Sequence, residues 1–222
     1  IASCYENVLK KSISIVTPNK IANSGSYNQY KKLRDTARRS NVRFLYETNV
    51  GAGLPVINTL NDLMSSGDRI IRIEAVLSGT LSFIFNNFKS NTSFSEIVLE
   101  AKKRGYTEPD PRIDLSGKDV ARKLLILARE TGLSLEMKDI NIGKLLPPSC
   151  EKAKTVDAFF SELKKNDAHF AGLAKRAEGK NKVLRFIAKL EKGKASIELQ
   201  EVGADHPFYN LSGSDNIISF TK

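Results

Sequence analysis

No stretch of the sequence approaches the roughly 18 to 20 consecutive apolar residues that a membrane-spanning helix needs. The opening IASCYENVLKK lacks the basic, then apolar, then small-residue order of a secretory signal. A membrane-embedded protein is thereby excluded, and secretion is not expected. Cysteine is scarce: Cys4 and Cys150 stand far apart, match no metal-ligand spacing and cannot build a disulfide framework, so a reducing cytoplasm is the expected compartment. Histidine is equally rare. His169 falls in a helical stretch and His206 precedes Pro207, and neither has a Ser or Cys partner or a second ligand at useful spacing, so neither reads as catalytic. There is no GxGxxG phosphate loop, no internal repeat and no low-complexity tract.

What the chain does hold is an ordinary globular balance. Its 222 residues, 41% hydrophobic and 27% charged, suffice for one large or two small domains with a well-buried core. The net charge of +10 suits polyanions, either nucleic acid or phosphorylated small molecules, without choosing between them. The basic residues are scattered in groups such as Lys31-Lys32, Arg38-Arg39 and Lys102-Lys103-Arg104, beside helical apolar spacing where a solvated face explains them equally well.

The first part reads as an α/β segment entered in its middle. A β-rich run at 12–16, a polar helical pattern at 26–39 and an alternating run at 42–46 make a strand, helix, strand unit. Such a crossover predicts a parallel pair with ligand chemistry at the strands' carboxyl ends, where Thr17-Pro18-Asn19-Lys20 sits. From Gly51 the texture changes. A glycine-rich turn, 51–55, leads into a helix ending near Gly67, then a strand at 69–77 and a helix from Gly79 to about Phe88. Helices follow at 94–103, 117–131, 155–165 and 167–178, and strands at 183–191, 195–202 and 216–221, with Gly193 marking a hairpin turn. This order predicts a mixed sheet covered by helices on one side, an α+β arrangement.

The densest polar signal runs from Gly105 to Lys123. Pro109 and Pro111 stiffen the loop and push Glu108 and Asp110 towards extended backbone, so that carboxylates are held in place. Ser116 is the expected N-cap of the next helix, which puts Asp119 and Lys123 four apart on one face. Two readings stand. Ser116-x-x-Asp119 resembles a capping box, and Asp119 with Lys123 is the favoured acid-before-base pair, worth about 0.2–0.5 kcal/mol on an exposed helix. Alternatively, the pair borders an apolar stripe of Val120, Leu124 and Leu127, and a lysine at such an edge is suited to proton transfer because desolvation lowers its pKa. The turn at 51–55 reads either as tight packing before a helix or as glycine-splayed carbonyls able to hold a hard cation. Lys20 could face a phosphate or carboxylate, or simply solvent.

At these residues the chain resembles homoserine dehydrogenases. Val16-Thr17-Pro18-Asn19-Lys20, Tyr46 through Pro55, Ser78-Gly79-Thr80-Leu81-Ser82-Phe83-Ile84-Phe85 and Gly105 through Lys123 all look like that family's motifs, in the family's order. The part from Leu146 through Phe220, with Pro207-Phe208-Tyr209 and Asn216-Ile217-Ile218-Ser219-Phe220, is most similar to the branch fused behind an aspartate kinase domain. The resemblance implies the tail of a Rossmann-type nucleotide domain (1–48) followed by a mixed-sheet substrate and dimerisation domain covered by helices (49–222). It implies NAD- or NADP-dependent interconversion of L-homoserine and L-aspartate 4-semialdehyde, on the way to threonine and methionine. Residue by residue, it makes Lys123 the proton donor and acceptor, with Glu108, Asp114 and Asp119 on the substrate. Lys20, Gly105 and Thr17 would lie at the cofactor, and Glu47, Val50, Ala52 and Leu54 would give oxygens to a structural sodium ion. A homodimer formed through the sheet, and a fused aspartate kinase, are further implications.

The family's phosphate loop, first strand and first helix are expected ahead of Ile1, and its last helix after Phe220. By itself, then, the chain is expected to bind cofactor poorly and to turn over little. Rival readings are a dehydrogenase of a related semialdehyde or amino acid, and a basic nucleic-acid-binding module. Against the binding module stand few interleaved aromatics, no recognisable nucleic-acid motif and polar residues gathered on one acidic loop.

Overall fold

The computed structural model describes residues 1–222. In chain order the elements are α1 (Tyr5–Lys10), β1 (Ile15–Val16), α2 (Ile21–Ser24), α3 (Tyr27–Arg39), β2 (Phe44–Leu45), α4 (Val56–Ser65), β3 (Arg72–Val76) and α5 (Gly79–Asn87). Then come α6 (Phe94–Lys103), α7 (Arg112–Leu115), α8 (Lys118–Glu130), β4 (Ile140–Ile142), α9 (Pro148–Glu151), α10 (Val156–Lys165) and α11 (Asp167–Glu178). The strands β5 (Val183–Glu191), β6 (Lys194–Val202) and β7 (Ile217–Thr221) close the chain.

Helix starts follow the side chains able to cap them. Ser26, Ser78, Ser93 and Thr155 each accept a backbone N–H three residues on and begin α3, α5, α6 and α10. The predicted strand at 12–16 shrinks to two residues, because Ser12 turns at φ +58° and Ile13 stays half exposed. The short elements α1, α2, α7, β4 and α9 carry too little periodicity to be predicted, and the tertiary structure supplies them.

The strand–helix–strand unit forms the expected parallel pair, Ile15 opposite Phe44 and Val16 opposite Leu45. The second sheet has the order β4-β6-β5-β3-β7, with only β4 and β6 parallel. Its central hairpin turns at Lys192-Gly193, both in left-handed conformation as a two-residue turn between twisted strands requires. Alternation along β5 sends Leu184, Phe186, Ala188 and Leu190 into the main core, under α5, α8 and α11. Ile187 faces the other way, into a small cluster with Val76, Val202 and Phe208, so apolar residues cover part of the second face as well. There the buried Arg185 pins the loop after β6 by donating to the carbonyls of Phe208 (2.9 Å), Tyr209 (2.8 Å) and Leu211 (3.2 Å).

Helix α8 runs through the centre. Val120, Ala121 and every residue from Leu124 to Glu130 are buried, so its apolar surface is wider than a single stripe.

Candidate active site

One correction concerns the approach to α8. Ser116 does not cap it: its hydroxyl donates to the Ile113 carbonyl (2.7 Å) and accepts only a long bond from Lys118 N (3.3 Å). The cap is Gly117 at φ +69°, which reverses the chain between α7 and α8. A Cβ there would lie 3.1 Å from the Phe186 ring, so both conformation and space select glycine. Asp110, two residues before α7, is tied down locally. Its carboxylate accepts from Arg112 N (3.0 Å) and pairs with the Arg112 guanidinium (2.6 Å), starting α7, and these bonds hold its carboxyl below the usual aspartate range.

Beyond these caps the polar residues converge. Asp119 bridges two lysines from different parts of the chain, Lys123 at 2.9 Å and Lys20 at 3.3 Å. Lys123 Nζ also donates to the Leu77 carbonyl (2.7 Å) at the end of β3, and its side chain is only 16% exposed. Burial alone would raise the Asp119 carboxyl, but the ammonium groups of Lys123 and Lys20 outweigh it and hold the carboxyl below its ordinary range. In front of this chain lies a cleft of about 460 Å³ lined by Lys20, Ser78, Glu108, Asp114, Asp119 and Arg122 among others. Lys123 is joined to the cleft wall at Asp119, its Nζ 2.9 Å from that carboxylate.

Asp114 and Glu108 face the same cleft with different freedom. Asp114 accepts from Glu108 N (2.9 Å) and from the Thr80 hydroxyl (3.2 Å), and Thr80 in turn bonds the Tyr106 carbonyl. Burial pushes the Asp114 carboxyl above its usual range against those hydrogen bonds. Glu108 is exposed, and its carboxylate makes no hydrogen bond or ion pair. The cleft thus offers cations and carboxylates together, the pattern that suits a zwitterion. Gly79, next to the lining residue Ser78, is packed against the loop that Arg185 holds: a Cβ there would meet the Ser214 carbonyl at 3.1 Å.

The remaining predicted residues sit elsewhere. The Thr17 hydroxyl is shared between Tyr5 Oη (2.8 Å) and Asn19 N (3.1 Å), and its residue lines a neighbouring cleft of about 470 Å³ over β1, β2, α3 and α4. Gly105 ends α6 at φ +73°, with Gly105 N and Tyr106 N bonded back to the Lys102 and Ala101 carbonyls, which explains its glycine without any ligand. Glu47 spends both carboxylate oxygens on Ile57 N (2.7 Å) and Asn58 N (2.9 Å), capping α4, which begins at a proline without a side-chain cap. In the turn that follows, Gly51 and Ala52 are both left-handed, and the carbonyls of Val50 and Ala52 accept no backbone hydrogen bond. The Leu54 carbonyl accepts from Val56 N (2.9 Å).

Sequence reasoning missed four contributors: the Leu77 carbonyl, Thr80, and the cleft-lining Lys118 and Arg122. A main-chain acceptor leaves no residue signature, and the other three read as ordinary helix positions.

Comparison with known proteins assigns the architecture. A family model described as homoserine dehydrogenase matches residues 55–222, and one described as homoserine dehydrogenase, NAD binding domain, matches residues 1–47. The whole chain is 51% identical to the bifunctional aspartokinase/homoserine dehydrogenase 1, chloroplastic, of Zea mays, of which it spans 24%. It is 43% identical, again over its whole length, to the homoserine dehydrogenase of Schizosaccharomyces pombe, of which it spans 61%. A crystal structure of a Candida auris protein of unknown function superposes with a TM-score of 0.94 at 37% identity, over 99% of this chain and 64% of that one. The matches run the length of the chain and take in the lysine–aspartate–lysine cleft, and the chain belongs to the homoserine dehydrogenase family.

Proposed function

We propose that the protein from which this chain comes interconverts L-homoserine and L-aspartate 4-semialdehyde with NAD or NADP, on the path to threonine and methionine. The observation that carries the reading is the Lys20–Asp119–Lys123 chain beside a cleft lined by both signs of charge. Family membership, through models named for the dehydrogenase and its NAD-binding domain, supports it.

Each residue then has a task that its surroundings suit. Lys123, held by Asp119 and the Leu77 carbonyl, would give its proton to the aldehyde oxygen as arriving hydride places negative charge there, and in the reverse direction would take the hydroxyl proton as hydride leaves the carbon. Asp119 keeps that ammonium in place while taking Lys20. Glu108 and Asp114 orient the substrate ammonium, and Arg122 and Lys118 on the same wall suit its carboxylate. The nicotinamide supplies the hydride acceptor or donor. Lys20 would face the cofactor from the cleft wall, Thr17 holds the backbone just ahead of Lys20 through its bond to Asn19 N, and Gly105 frames the loop bearing Glu108.

The turn at 50–54 suits a sodium ion, because two of its carbonyls, those of Val50 and Ala52, are without backbone partners and monovalent cations take such oxygens. Leu54 and Glu47 would add main-chain oxygens, since the Glu47 carboxylate is occupied. We further infer a nucleotide-domain portion over 1–48, a substrate and dimerisation portion over 49–222, a homodimer formed through the five-stranded sheet, and a fused aspartate kinase as in the relatives named bifunctional. No helix is long and apolar enough to cross a membrane, and the free thiols suit a reducing compartment such as the cytoplasm, while the maize relative is named as chloroplastic.

The test follows reduced-nicotinamide absorbance in the natural full-length chain with L-homoserine, L-serine and L-threonine in parallel. Strong preference for homoserine is the expected result. Preference for another hydroxy amino acid would move the reading to a related dehydrogenase.

A further inference from the structure

Helix α8 meets the strand–helix–strand unit at both of its ends. Near its start Asp119 takes Lys20. Roughly 16 Å farther along, at about 1.5 Å per residue, Arg129 and Glu130 make the second attachment. Arg129 is 3% exposed and donates to the carbonyls of Asn23 (2.8 Å) and Gly25 (2.8 Å), the end of α2. The same guanidinium holds the Leu135 carbonyl (2.9 Å) and Glu136 Oε2 (3.1 Å), while Glu136 Oε1 accepts from Tyr27 N (2.8 Å) at the start of α3. Glu130, its side chain fully buried, accepts from the hydroxyls of Tyr30 (2.9 Å) and Tyr46 (2.7 Å) and from Arg34 Nη1 (2.8 Å). Burial and the Glu130 charge keep both phenols protonated as donors.

Buried ionic groups are a poor source of stability, since well-packed apolar residues often serve as well or better; what they do define is direction. Here the direction matters, because α2 is only four residues long and Lys20 is its first flanking residue, with Ser24 N bonded to the Lys20 carbonyl at 2.8 Å. A shift at Asn23 and Gly25 is therefore transmitted to Lys20. We propose that Arg129 and Glu130 are positioning residues: together they set α2, and with it Lys20, against Asp119 and Lys123. The effect on rate rests on the dehydrogenase reading; the mechanical coupling does not.

The test uses the natural full-length protein with Arg129→Lys, Glu130→Gln and Tyr46→Phe, each alone and combined with Lys20→Met. Arg129→Lys keeps the charge and loses the fork. It is expected to lower kcat on the order of ten- to a hundredfold, as an ångström-scale misplacement does, with KM for L-homoserine little changed. In the Lys20→Met background the same substitution should add little, since the two act through one contact. Amide exchange across residues 17–24 should rise in Arg129→Lys while residues 120–128 keep their protection. If Arg129→Lys fails to fold, Tyr46→Phe, which removes a single hydroxyl beside Glu130, should raise the same exchange to a smaller degree. Additive rate losses, or unchanged exchange across 17–24, would overturn the proposal. Absence of homoserine oxidation by the unsubstituted protein would remove the dehydrogenase reading and leave the exchange comparison to decide the coupling.

Discussion

Replacing Lys123 by Met separates the proposed chemistry from the fold. Met keeps the apolar stem and deletes the ammonium, so the packing beside Leu124 and Leu127 survives while two contacts go, to the Leu77 carbonyl and to Asp119. A hydrogen bond to a charged group contributes about 1.5–3 kcal/mol. Part of that returns because the ammonium no longer has to be desolvated, and Asp119 keeps Lys20 as partner. The net loss should be about 1 kcal/mol, which for a chain of this size lowers Tm by roughly 2–4 °C. The reaction should suffer far more. A positioned proton donor and acceptor contributes about 10²–10⁴ in rate, or about 3–5 kcal/mol at about 1.4 kcal/mol per decade. The assay pairs scanning calorimetry with nicotinamide absorbance under saturating homoserine in the full-length chain. Activity within a few-fold of the unsubstituted protein, at similar Tm, would refute the role given to Lys123.

Three further outcomes follow from the geometry. Because the folded Asp119 carboxyl is held below its ordinary value, its stabilising contribution is fully present above about pH 4 and is lost as pH falls through the lowered folded value; carbon-detected NMR titration of Asp119 checks this, and a midpoint above the ordinary range would contradict it. Gly117→Ala should cost about 1–2 kcal/mol for the left-handed backbone, with more from contact with the Phe186 ring, and should lower activity through the displaced start of α8; denaturant unfolding with a parallel rate measurement tests both. Phe94→Ala, which empties a fully buried site stacked at 3.9 Å on Phe170 and edge-on to Phe88, should destabilise by about 3–5 kcal/mol; a loss below about 1 kcal/mol would mean that the helical layer repacks more freely than its geometry implies.

Much of this was legible locally. The helices at 94–103 and 167–178 and the strand at 183–191 lie where periodicity and punctuation put them, since a cap, a left-handed turn and a 3.6- or 2-residue repeat act over a few residues. The Asp119–Lys123 pair was legible too, because four residues on a helix fix its geometry. The roles of Ser116 and Asp110 were not: α7, a single turn between them, decides both, and its existence depends on Leu115 being buried.

The amino-acid sequence by itself determined the kinds of element, most of their bounds, the parallel pair and the residue types available for proton transfer and for holding a zwitterion. The tertiary structure alone decided which charges meet. Lys20, just after the first strand, reaches Asp119 on α8, Tyr30 reaches Glu130 across a separation of 100 residues, Leu77 offers a main-chain oxygen to Lys123, and the Glu47 carboxylate caps the start of α4. The physical reason is range. Backbone preferences and side-chain periodicity are settled among near neighbours. A buried charge, in contrast, takes whichever partner the packing brings within about 3 Å, and only the folded chain specifies that partner.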